Sequence, residues 1–182
     1  MKARIGWVSN SSSTSFIFPS PEVDRRTAVR RLTDRLFPPT PYTKKGWTLT
    51  EHFMELIRED IFEALEESEA DFSWEIDDFT MQEKTVVKID DVETFEKYLG
   101  SKVPKKYSWL IGELGRGNHL YKINVPDYGE GGSRLQAVLR STLITKTNMI
   151  IETDDLWGEV NKMKAKQKAK KAKGKKEYDD EH

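Results

Sequence analysis

The chain has 182 residues, a formal net charge of −1, 34% charged and 10% aromatic side chains, and no cysteine. That length suits one folded domain with a core of its own. The absence of thiols excludes disulfides, thiolate zinc sites and a cysteine nucleophile.

In chain order, Ile5, Trp7 and Val8 predict an edge strand, and Phe16-Ile17-Phe18 a second one, because aromatic and β-branched residues favour extended backbone. The polar run Ser9-Asn10-Ser11-Ser12-Ser13-Thr14-Ser15 between them reads as the long turn of a β-hairpin. Ser20-Pro21-Glu22 has the character of a helix start, and Pro38-Pro39 stops that helix at about Phe37. Val29, Leu32 and Leu36 are its apolar stripe, with Arg26/Arg30 and Arg31/Arg35 on the flanks.

Thr48 and Glu51 stand at capping-box spacing before an acidic helix. Phe53, Met54, Leu56, Ile57, Ile61, Ala64 and Leu65 follow at helical period and are expected to form its buried face. Phe72, Trp74 and Ile76 alternate as in a half-buried strand, and Thr85 to Ile89 predicts another. Asp90 and Glu93 cap a short helix that Gly100 ends. Tyr107 to Ile111 and Leu120 to Val125 predict a strand pair around a turn containing Gly112, Gly115 and Gly117. Ser133 caps a helix to about Leu143, Asn148 to Glu152 reads as a strand, and Asp154 or Asp155 opens a last helix.

These elements imply an α+β fold: a mixed, mainly antiparallel sheet with about five helices packed on it. Residues 1–161 form the single domain, and 162–182 a lysine-rich disordered tail whose alanines can prolong the last helix. No apolar run approaches the roughly 20 residues that cross a bilayer, so a cytoplasmic or virion-associated protein without a membrane anchor is expected.

Charge is segregated along the chain. Residues 1–50 carry 9 basic and 3 acidic groups, residues 51–96 carry 3 and 17, residues 97–161 carry 9 and 7, and residues 162–182 carry 9 and 4. Each block presents its own field, so the overall balance is a poor guide to partners. If the basic helix 21–37 packs antiparallel on the acidic helix 51–67, their charges screen each other internally.

The opening MKARIGWVSNSSSTSFIF, Met1 to Phe18, resembles that of a scattered set of uncharacterised proteins of tailed phages and some bacteria, which begin roughly MKxRxGFVSNSSSSSF. Here Trp7 stands for the usual Phe and Thr14 for a Ser. The resemblance implies a phage or prophage origin and carries no fold, activity or catalytic residue with it.

Three constellations could carry chemistry. Hydroxyls and free backbone N–H groups at Ser9, Asn10, Ser11, Ser12, Ser13, Thr14 and Ser15 could hold an anion or a partner, or accept a modification; the plain alternative is a solvated turn. Lys164, Lys166, Lys168, Lys170, Lys171, Lys173, Lys175 and Lys176 could neutralise phosphates, without base stacking because no aromatic is interleaved; the alternatives are a solubilising tail or contact with an acidic protein. Glu152, Asp154 and Asp155 could converge on a magnesium ion, although aspartates at helix starts are more often caps. Gly112, Gly115 and Gly117 do not match a dinucleotide fingerprint, and His52 and His119 have no partner visible in the sequence.

The reading that follows is a non-catalytic interaction protein with a protein partner and no cofactor, docking through segregated charge and the N-terminal hairpin. The alternatives are a non-specific nucleic-acid-binding accessory acting through the lysine tail and a magnesium-dependent enzyme using the C-terminal carboxylates.

Overall fold

Three consecutive apolar residues, rather than alternating ones, belong in a strand covered on both faces. In the computed structural model, which describes residues 13–39, 41, 46–68, 72–76, 82–126, 135–141 and 149–179, Phe16, Ile17 and Phe18 are at most 1% exposed. They lie in β1 (Ser13–Ser20). The strand pairs antiparallel along its whole length with β5 (His119–Pro126), Ser13 opposite Pro126 and Ser20 opposite His119. Its other edge takes β6 (Ile151–Glu152) at Phe16 and Ile17. On the far side of β5 lies β4 (Lys88–Ile89), giving the order β4-β5-β1-β6. β2 (Phe72–Ile76) and β3 (Gln82–Val86) form a separate antiparallel ribbon.

The helices are α1 (Arg25–Leu36), α2 (Leu49–Glu67), α3 (Val92–Leu99), α4 (Ser108–Gly115), α5 (residues 135–141) and α6 (Thr153–Asp179). One face of the sheet, with Phe16, Phe18, Tyr121, Ile123 and Val125, packs against Val29 and Leu32 of α1, Phe62 and Leu65 of α2, and Leu139 of α5. The other, with Ile17, Leu120 and Ile89, packs against Phe95 and Leu99 of α3, Leu110 and Leu114 of α4, and Leu156 and Val160 of α6. The sheet is thus the middle of three layers. Each apolar stripe removed from water contributes roughly 25 cal/mol per Å². The α+β class expected from the sequence is what the chain adopts.

Several local expectations are corrected. Ser13, Thr14 and Ser15 belong to β1 rather than to a turn, because the strand extends to match β5 in register; the expected hairpin partner, residues 1–8, and Ser9 to Ser12 lie outside the described residues. The first helix starts at Arg25, not Pro21. Asp24 is its cap, accepting from the Thr27 amide at 2.8 Å, while Ser20 is the buried last residue of β1. Tyr107 to Ile111 is helical: Tyr107, Leu110 and Leu114 are buried at three- and four-residue spacing, the period of a helix and not of a strand. Gly112 and Gly115 fall within α4, and Gly117 makes the turn at φ 84°.

Three shifts are smaller. Asp91, not Asp90, caps α3 by accepting from Thr94 at 2.7 Å, and Gly100 closes that helix in the left-handed region at φ 55°. The strand expected at Thr85 to Ile89 bends at Val87, so that β3 serves the ribbon and β4 the main sheet. The strand expected from Asn148 is short, two residues long. Finally, the segment from residue 162 is not unstructured: α6 continues through Asp179, where alanine, lysine and glutamine all favour helix.

Candidate functional site

α6 has 27 residues and is therefore about 40 Å long. Its first turn carries Asp154 and Asp155, which face the positive end of the helix dipole. Leu156 and Val160 are fully buried against the sheet, and Trp157 meets the Tyr98 ring edge-on at 5.6 Å. Among the described side chains the last tie to the body is Lys164, whose Nζ donates to the Leu99 carbonyl at 3.0 Å, at the negative end of α3, and lies 5.8 Å from the Trp157 ring. Beyond it, residues 165–170 are all exposed.

No acidic residue occurs between Lys162 and Lys176. Lysine positions 162, 166, 170 and 173 recur at helical spacing along one side, and 164, 168, 171 and 175 along the opposite side. Lys162 is held by Glu159 at 2.7 Å, and this hydrogen bond keeps the Glu159 carboxyl below the usual range. The structure therefore carries the eight candidate lysines on one helix, with Lys166, Lys168 and Lys170 projecting into solvent.

The other basic helix differs. Arg30 reaches Glu59 at 2.7 Å, Arg26 reaches Glu66 at 3.3 Å, and Arg58 of α2 reaches back to Asp34 at 2.6 Å, so the two helices run antiparallel with their charges matched. Arg58 also binds Glu55 and Glu59, and its side chain is only 11% exposed. The Arg30 guanidinium sits 3.5 Å above the Phe62 ring. A hydrogen bond from Arg30 holds the Glu59 carboxyl below its ordinary value. Arg30 and Arg58 are taken up in packing, whereas Arg26 answers Glu66 from an exposed position.

The serine run supplies no described anion cradle. Thr14 is buried and accepts from Arg140 at 3.1 Å, and Ser15 donates to Asn124 at 3.2 Å. The same Arg140 forms an ion pair with Glu152 at 3.0 Å, which draws that carboxylate toward α5 and away from the exposed Asp154 and Asp155. Among the described residues no group of three carboxylates or imidazoles is placed to hold a metal ion.

His119 has the partner that sequence could not supply: its Nδ1 lies 2.7 Å from Asp90, with Lys88 3.4 Å from the same oxygen. Ser20 stands across from His119 in the strand register, but its hydroxyl accepts from the Glu22 amide, and no described hydroxyl bonds to the ring. His52 packs edge-on against Trp47 at 5.0 Å on the exposed side of α2.

Sequence reasoning missed one surface. Of the apolar residues assigned to the buried face of α2, Phe53, Met54, Leu56 and Ile57 are 61%, 55%, 64% and 36% exposed, and Leu49 before them is 87% exposed. The signal was present: Phe53 and Phe62 are nine residues apart, as are Leu56 and Leu65, which places the members of each pair on opposite sides of a helix. Both cannot enter one core.

Comparison of the chain with protein-family models, curated proteins and solved structures finds no match. No described helix is long and apolar enough to cross a membrane.

Proposed function

We propose that this chain is a non-catalytic interaction protein, phage-encoded as its opening residues suggest, that docks on an anionic macromolecular partner through α6. The observation that carries the reading is a helix leaving the body at Lys164 with exposed lysines and no acidic residue through Lys176. An arm of this kind attracts polyanions over about a Debye length and releases their counterions on contact. The reading does not draw on Ser13 to Ser15, which are committed to β1, and Ser9 to Ser12 lie outside the described residues.

A second reading is a non-specific nucleic-acid-binding accessory. It is favoured by lysine positions on both sides of α6, which suit contact with phosphates from any direction, and by the lack of aromatics between Trp157 and Tyr178 that would read bases. One titration separates the two. Fluorescence anisotropy with labelled duplex DNA and with a labelled polyglutamate chain is expected to show binding at low salt that a variant with Lys166, Lys168, Lys170, Lys171 and Lys173 changed to Gln loses. Binding of DNA alone selects the second reading. Binding of neither probe, or undiminished binding by the variant, defeats both.

A further inference from the structure

We propose that the outward side of α2 is a second docking surface, one that receives a cationic amphipathic helix of another protein. Leu49, Phe53, Leu56, Asp60, Glu63 and Glu67 are spaced by four, three, four, three and four residues, the repeat that forms one continuous seam along a helix. All six are exposed. The first three are apolar, and Ile57 widens that half; the last three are carboxylates. An exposed apolar patch with a polar border marks an interaction site.

The opposite side of α2 is already used, since Phe62 and Leu65 are buried and Arg58 bridges to α1. The arginines of that joint answer Glu55, Glu59 and Glu66, whereas Asp60, Glu63 and Glu67 face away from it. Charge then selects the occupant. Nucleic acid and anionic membrane are repelled by the carboxylate half.

A second copy is disfavoured in either orientation. Parallel seams oppose Asp60, Glu63 and Glu67 to their own images, and antiparallel seams set carboxylates against Leu49, Phe53 and Leu56, leaving charge desolvated without a partner. What fits is a helix with apolar residues opposite Leu49, Phe53 and Leu56 and lysine or arginine opposite the three carboxylates, which is the helix-docking mode of recognition. The surface is opposite in sign to α6 and lies on a different helix, so the two can act separately.

The probe is a synthetic helical peptide with leucines and lysines at the complementary seam positions, compared with a control whose seam lysines are glutamines, against the full chain. The lysine peptide is expected to bind about tenfold more tightly than the control. Asp60→Lys, Glu63→Lys and Glu67→Lys together should erase that preference while leaving control binding unchanged, and Phe53→Ser, at an exposed position, should weaken both peptides without lowering the melting temperature. Equal binding of the two peptides, or full binding by Phe53→Ser, overturns the proposal. So does concentration-dependent dimerisation that Phe53→Ser abolishes, or binding seen only after residues 1–12 are removed, for then a second copy or the chain's own N-terminus is the occupant.

Discussion

Two basic helices, α1 and α6, use similar charge in opposite ways. The arginines of α1 are set against an acidic neighbour: Arg30 lies on the Phe62 ring and bonds Glu59, and Arg26 bonds Glu66. In α6, Lys166, Lys168 and Lys170 stand in water past the tie that Lys164 makes to the body. The difference follows from what lies beside each helix. α1 carries an apolar stripe of Ala28, Val29, Leu32 and Leu36 that holds it against the sheet and brings α2 alongside. α6 has such residues in its first turns, at Leu156, Trp157 and Val160, and mostly alanine and lysine beyond Met163. Local composition made both helices basic, and burial of apolar surface decided which of those charges were brought against carboxylates.

The comparison can be broken most severely at the α1–α2 joint. Phe62→Ala removes a buried ring that supports Arg30, and should cost about 3 kcal/mol in urea-induced unfolding. Arg58→Ala leaves Asp34, Glu55 and Glu59 facing each other; because these carboxylates are partly exposed, a loss of about 2 kcal/mol is expected, measured in the same way. At the exit of α6, Gly100→Ala forces a left-handed backbone at φ 55° on an alanine whose Cβ would lie 3.3 Å from Lys164 Nζ. That change should cost about 1 kcal/mol and speed amide exchange in the turn of α6 around Lys164.

Smaller effects sharpen the contrast. The Glu59 carboxyl is held below its ordinary 4.5 by Arg30, so its contribution is present above that pH and is lost as pH falls through the lower folded value. Acid titration of stability should therefore show a loss below about pH 4.5 that Arg30→Gln reduces. Changing Lys166, Lys168 and Lys170 together to Gln should shift stability by less than about 0.5 kcal/mol at any pH, since these side chains support nothing in the body.

Much of this was legible before the structure. The capping box of Thr48 and Glu51 is present, with the Thr48 amide bonded to Glu51 at 2.6 Å, and the buried stripe of α1 is the one its spacing gives. Antiparallel packing of the basic and acidic helices was one arrangement that their adjacency and opposite charge allowed, and it is the one the chain adopts. What failed was long-range. Nothing local says that Ser13 to Ser15 continue a strand whose partner begins more than 100 residues later. The same holds for Glu152, whose partner Arg140 belongs to another element. For α2 the periodicity was right and Ile61 and Leu65 do enter the core, but Phe53 and Leu56 do not, because two apolar arcs compete for one core and only the sheet decides between them.

The account depends on α6 carrying exposed lysines beyond its tie to the body while Arg26 and Arg30 of α1 are paired with carboxylates of α2. The direct measurement is the salt dependence of duplex-DNA or polyglutamate binding in two variants, Lys166/Lys168/Lys170→Gln in α6 and Arg26/Arg30→Gln in α1. The account predicts that the α6 variant flattens the DNA slope by roughly 0.9 for each phosphate it no longer neutralises, while the α1 variant leaves the slope unchanged. Equal flattening by both variants, or flattening by the α1 variant alone, would contradict it.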